Sequence, residues 1–402
     1  MSAFVQVLKK DYNQADEKLG ITEIVIDKFK SPIKKEVARH IFDATKAHLL
    51  LQRESNLTQV DELLKNIRDI SDKIYQSSLN QFKAAIWIHC NHWNATTKRA
   101  IKFSEIAVEY DPEDATAHYL LAKNLRTDRR FISKSIYPRS DEIYHFGRAY
   151  EIEKNPQFGI LFAQSLRENR DNRDSMKIYE ELSNMKIENV PLQLRMAAAF
   201  IAFRDFGNSR KCLNYVESVE PENNTFLHHK GKYFMELMQY EEASKCLLKS
   251  AEEGNFGADM LYIKCIRMLQ VPFDYTSHFL KLKEKYSDYN SPAKKEILIN
   301  LAFCYFVFKK DFDEAVKHFV EFFEIGDSGY LLFKHFQFIP FLRPVNIYYF
   351  LEDEFLPKVN SYINSKRNIV SKETIQGSET LMKIAKQFSL NNPRTTNRTF
   401  YY

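Results

Sequence analysis

The densest set of metal-type donors in this chain is the run His89-Cys90-Asn91-His92, three donors within four residues. A bound zinc takes four tetrahedral ligands, one of them water in catalytic sites. No second cluster supplies the rest, and adjacent His89 and Cys90 point to different sides of a helix. The run therefore reads as helix packing or surface lining, not as a metal centre. No GxSxG, GxxxxGK[ST], GxGxxG or HExxH pattern occurs. The chain reads as non-catalytic, with no cofactor implied. What remains is electrostatic chemistry. Between Lys123 and Arg139 stand Lys123, Arg126, Arg129, Arg130, Lys134 and Arg139, against the single acid Asp128. Such a run is either a solvated linker or a rim that contacts phosphates.

The elements that must position these side chains follow a period. The small residues Ala122, Ala163, Ala197 and Gly231 lie 41, 34 and 34 residues apart. Ala100 and Ala107 are seven residues apart and share a helix face, and Pro112 then ends that helix. Ala243 and Leu247 mark a later second helix. A 34-residue period with a small residue in each of two helices is the signature of tetratricopeptide repeats. Arrays of this kind form long surfaces whose default use is binding. The expected fold is all-α, a right-handed superhelical tetratricopeptide-repeat solenoid with helical caps. Residues 1–80 are expected to form an N-terminal helical cap, and 81–327 about seven repeats interrupted by an insertion near 127–140. Residues 328–364 read as a C-terminal helical cap. The stretch 365–402, rich in Ser, Thr, Asn and charge, reads as a disordered tail.

Composition agrees. Only 10 Gly and 12 Pro in 402 residues argue against a turn-rich all-β chain. The formal charge of +5, from 58 Lys and Arg against 53 Asp and Glu, is too mild to signal nucleic acid by itself, so a local patch must carry that function. Five scattered cysteines without a CxxC pair suggest reduced, mostly buried thiols in a cytosolic or nuclear protein, and a cytoplasmic location is expected. The N-terminal residues lack a signal-type apolar stretch, and no run has the roughly 18 apolar residues of a membrane span, so no membrane partner is expected.

In the tetratricopeptide family the first helix of each repeat lines the binding groove. By that resemblance the groove receives Phe82, His89, His92 and Trp93, then Tyr119, Lys123 and Arg126. Gln164 and Arg167 follow, then His228, Lys232 and Tyr262, with Glu168 and Glu236 as the acids. Rings interleaved with cations suit single-stranded nucleic acid, whose bases stack and whose phosphates are neutralised. They also suit an acidic or C-terminal peptide, clamped by its carboxylates. Both ligands stay open on this pattern, as does homo- or hetero-oligomerisation.

Four features resemble the interferon-induced proteins with tetratricopeptide repeats. Trp87 lies thirteen residues before Ala100. The insertion of the second unit closes on an aromatic-basic-Ala helix and Asn155-Pro156. ILFAQSLRENRDNRDSMKIYEEL follows it, and FLHHKGKYF starts a later helix with a histidine pair. The resemblance spans roughly Phe82 to Leu247. It implies a cytosolic protein of innate antiviral defence or RNA control that captures single-stranded RNA, often by its 5′ end. Carried over by residue, Trp87 would stack on a base or the 5′-terminal group, Arg126 would meet a phosphate, and His228 and His229 would lie near the early nucleotides. Two positions depart from the pattern: Asn91 replaces a lysine, and Ala202 stands where an arginine is expected, with Arg204 nearby. The ligand-binding set is thus Trp87, His89, Trp93, Tyr119, Lys123, Arg126, Arg129, Arg130, Arg167, His228, His229 and Lys232. The alternative is a tetratricopeptide adaptor or scaffold for partner-protein peptides.

Overall fold

The computed structural model describes residues 10–53, 57–65, 72–88, 93–132, 136–288, 291–325, 336–338, 345–366 and 369–392. These stretches are helices joined by turns, apart from one antiparallel bridge between Phe336 and Val345. They fall into two compact units, one ending at Val219 and the other starting at Glu220.

In the first unit α1 (Tyr12–Ile26), α2 (Pro32–Gln52) and α3 (Leu57–Lys65) precede a series of helical hairpins. These pair α4 (Lys73–Ile88) with α5 (Trp93–Tyr110), α6 (Ala115–Ile132) with α7 (Ser140–Ile152), α8 (Pro156–Glu168) with α9 (Asn172–Ser183), and α10 (Val190–Phe203) with α11 (Phe206–Val219). The second unit pairs α12 (Asn224–Glu236) with α13 (Tyr240–Glu252) and then holds α14 (Phe256–Met268) and α15 (Tyr275–Lys285). It continues with the paired α16 (Ser291–Cys304) and α17 (Phe312–Glu324), and then α18 (Ile347–Phe350), α19 (Leu356–Ser365) and α20 (Lys372–Asn391). Among the described residues no helix is long and apolar enough to cross a membrane.

The repeat period has three physical carriers. Asn155, Asn189, Asn223 and Asn255 cap the N-termini of α8, α10, α12 and α14, each side chain accepting a backbone N–H of the first turn. That satisfies a donor with no partner inside the helix. Arg170, Arg204, Met238 and Gln270 follow the ends of the same helices in the left-handed region, at φ 67°, 61°, 59° and 55°. For a residue with a Cβ this conformation costs roughly 1–2 kcal/mol, and it turns the chain sharply into the second helix. Small residues then let paired helices approach. Ala163 and Ala197 are fully buried, and Ser175 and Ser209 donate to their carbonyls at 2.7 and 3.5 Å. A Cβ on Gly231 would lie 2.5 Å from Leu247 Cγ, closer than any side chain permits.

Three boundaries differ from the expectation. The hairpin series begins at Lys73, the start of α4, rather than at residue 81. The insertion near 127–140 opens as helix: α6 runs to Ile132, so the basic side chains share helical faces instead of a linker. The tail expected to be disordered from 365 contains α20, with buried Leu381 and Ala385 and with Gly377 against Val316 of α17. Its few apolar residues sit at helical spacing, which a polar composition conceals. Residues 393–402 lie outside the described set.

The core of the second unit is aromatic. Phe303 on α16 stacks on Phe350 at 4.5 Å and on Phe338 at 5.0 Å between ring centroids, with Phe319, Phe322 and Phe355 around it. Leu381 completes this cluster from α20. Leu381→Ala is therefore expected to cost about 2–4 kcal/mol in urea unfolding of the second unit; an unstructured tail would give no change. Gly231→Ala should cost about 1–3 kcal/mol through overpacking against Leu247, measured in the same way.

Candidate functional site

The basic residues of α6 occur at helical spacing. Arg126, Arg129 and Arg130 are three and four residues apart, so their side chains reach one neighbourhood. They converge on a single carboxylate, Glu168, the last residue of α8. Arg126 Nη2 and Arg130 Nη2 each donate to Glu168 Oε1 at 2.5 Å, and Arg129 Nη2 donates to Oε2 at 2.7 Å. Arg129 also forks onto Glu142 of α7 at 2.8 and 3.0 Å, and its Nη1 donates to the Ile136 carbonyl at 2.7 Å. One guanidinium thus ties α6 to α7, to α8 and to the end of the insertion.

Burial separates the three arginines. Arg126 and Arg129 are 5% and 4% exposed, and Glu142 is 0% exposed. The Arg130 side chain is 41% exposed. Burial lowers the Arg126 pKa, against the opposing attraction of Glu168. Burial acts the same way on Arg129, but its hydrogen bonds to Glu142 and Glu168 outweigh it and raise the value. Burial would raise Glu168, yet the Arg126 charge, with Arg129 and Arg130, holds its carboxyl below the ordinary 4.5. Arg126 Nε is buried with no hydrogen-bond partner among the described residues.

Further cations border this cluster. Arg167 and Arg195 act with Arg126 on the buried Tyr179 hydroxyl, whose pKa burial nevertheless raises. Among the described residues neither Arg167 nor Arg195 forms an ion pair, and Lys123 is exposed one turn before Arg126. Three arginines share two acids while three more cations stand beside them, so the neighbourhood is positive. Sequence reasoning missed Arg195 and Glu142. The first lies outside the basic run, and the second meets Arg129 only through the hairpin. Tyr137, exposed with the Arg170 guanidinium 5.0 Å from its ring centre, also went unread.

The other expected residues are distributed as follows. Tyr119, expected to stack on a ligand, is buried in the core: its ring lies 4.7 Å from Phe158, and its hydroxyl accepts from Gln157 Nε2 at 2.8 Å. Arg129, expected on an open rim, is likewise buried in its ion pairs. Trp87 is half-buried on α4, with Arg99 of α5 4.6 Å from its ring centre. His89, Cys90 and His92 lie outside the described residues, as does the side chain of Trp93. His228, His229 and Lys232 belong to the second unit, on α12. The two imidazoles meet edge to face at 5.5 Å, and each has a buried Nδ1 without a partner among the described residues. Burial lowers both to about 4, with Lys232 adding to the effect, so both are neutral at pH 7. Among the described residues no group of three or more His, Cys, Asp or Glu could hold a metal.

Breaking the buried pair is expected to be costly. Glu142→Ala removes the forked, fully buried partner of Arg129 and leaves three arginines on the single carboxylate of Glu168, so it should destabilise the first unit by about 3–5 kcal/mol in urea unfolding at neutral pH. Glu168 also makes stability pH-dependent. Its folded pKa lies below 4.5, so its contribution is present above pH 4.5 and is lost as pH falls through the lowered folded value. Glu168→Gln should flatten this acid limb in a pH series of unfolding midpoints; an unchanged limb would contradict the ion-pair geometry.

No family model matches the chain, and no curated protein matches it in sequence. Solved structures do. A human IFIT1 dimer with m7Gppp-AAAA aligns over 95% of this chain and 88% of its own, at 13% identity and a TM-score of 0.58. A human IFIT1 dimer with PPP-AAAA covers 96% and 86%, at 13% identity and a TM-score of 0.59. A monomeric IFIT1 mutant with Gppp-AAAA covers 97% and 79%, at 14% identity and a TM-score of 0.51. The chain has the all-α tetratricopeptide-type solenoid fold of these IFIT1 structures.

Proposed function

We propose that this protein is a non-catalytic binding protein that captures single-stranded RNA through the arginine cluster of its first unit. The convergence of Arg126, Arg129 and Arg130 on one point carries the reading. Guanidinium groups are planar forks suited to phosphate oxygens, and here two of them are held rigid by burial. Arg167, Arg195 and Lys123 extend the positive surface along which a sugar–phosphate backbone would run. Trp87 and the exposed Tyr137 offer ring faces, and base stacking contributes about 1–3 kcal/mol per base. The fold shared with human IFIT1, solved with capped and triphosphate-bearing RNA, supports the reading and suggests a cytosolic role in innate antiviral defence or RNA control.

A carboxylate-bearing peptide is the competing ligand of an adaptor. The cluster already holds a carboxylate, Glu168, so a peptide carboxylate would exchange like for like. A terminal phosphate, as at the 5′ end of an RNA, offers more charge and more acceptor oxygens than a carboxylate, whereas an internal phosphodiester offers the same single charge and two free oxygens.

Fluorescence titration of a labelled single-stranded RNA at about 50 and 200 mM salt tests the reading, because each phosphate contact contributes about −0.7 to the slope of log affinity against log salt. Arg167→Gln and Arg195→Gln, neither of which removes a buried ion pair, should each lower the magnitude of that slope by about 0.7. Saturable binding absent at low salt would sink the RNA reading. Binding of an acidic peptide in its place would establish the adaptor.

A further inference from the structure

Glu168 occupies the point on which the guanidiniums of α6 converge. All three guanidiniums of α6 that converge there donate to its two oxygens. Yet its own helix does not favour a charge at this point. Glu168 is the last residue of α8, where the helix dipole presents its negative end. The side chain is 23% exposed, and Asn169 and Arg170 after it are exposed. The movement that frees the cluster is rotation of the Glu168 carboxylate about its side-chain bonds towards this exposed end of α8. Its departure would leave Arg129 paired with Glu142, and Arg130 and Arg126 unpaired, the latter with an Nε donor already lacking a partner.

We propose that Glu168 is an internal stand-in for the ligand's phosphate, a specificity-determining residue that must swing out before the ligand enters. This inference deepens the proposed function and rests on the anion-binding reading of the same cluster. The exchange sets a threshold. A group with one negative charge and two oxygens replaces Glu168 without gain. A terminal phosphate, such as an RNA 5′ end bears and an internal phosphodiester does not, has a higher charge and a third oxygen; it adds attraction to Arg130, Arg167 and Arg195 and supplies an acceptor for Arg126 Nε. Glu168 thus selects a terminal phosphate over a carboxylate or an internal phosphodiester by occupying the site as a carboxylate itself.

The test compares the full chain with Glu168→Gln, using inorganic pyrophosphate and acetate as probes in titration calorimetry. The substitution keeps the shape and removes the competing charge. Pyrophosphate should bind the variant at least about tenfold more tightly, a change of about 1.4 kcal/mol, and acetate should begin to bind. Glu168→Asp, which keeps the charge but shortens its reach, should fall between the two; it carries the test alone if the glutamine variant does not fold. Equal or weaker pyrophosphate binding in the variants, or no binding to any form, overturns the inference. The RNA titration stands apart. Pyrophosphate binding that tightens as expected without RNA binding contradicts the RNA reading only. RNA binding to the natural chain with no tightening in Glu168→Gln contradicts the gate only.

Discussion

The first unit depends on how the charge of two buried guanidiniums is compensated. Taking an ion out of water costs several kcal/mol even after relaxation, and both Arg126 and Arg129 are almost wholly enclosed. Glu142 and Glu168 balance them, and the geometry demands three helices in register: α6 for the arginines, α7 for one acid and α8 for the other. Any shift of these hairpins would strand a charge. The cluster is thus a structural joint and a cationic site at once. An uneven share of acids makes it so, since Arg130 doubles up on Glu168 and further cations gather alongside.

The register that brings these groups together comes from backbone chemistry repeated along the chain. An asparagine cap starts each of four first helices, a left-handed residue follows each, and a small residue lets the second helix close on the first. Each device is local. In the cluster itself, α6 and α8 come together so that residues 42 positions apart, Arg126 and Glu168, meet.

Much of this was legible in the sequence. Ala163, Ala197 and Gly231 reveal the period because a packing distance forbids larger side chains there. The arginines at 126, 129 and 130 announce a charged helix face, and Glu168 was visible as the acid among them. What the sequence concealed was which way side chains turn. Tyr119 occupies a groove position by repeat counting, yet its ring is buried against Phe158 and Phe146. Arg129 sits in a basic run that looks solvated, but only the hairpin shows Glu142 waiting inside. Helix α20 escaped notice because Leu381 and Ala385 are few among many polar residues, although they lie one turn apart. Glu142 carried no signal at all, being one acid at the start of a helix like many others.

The central claim is that the α6 cluster is where the ligand's phosphate sits. A crystal structure of the full chain with a short single-stranded RNA bearing a 5′-terminal phosphate tests it most directly. The account predicts a phosphate within hydrogen-bond distance of Arg126 and Arg130, with the Glu168 carboxylate turned to solvent and Arg129 still forked onto Glu142. Bound RNA elsewhere on the protein, with Glu168 still holding all three arginines, would contradict it.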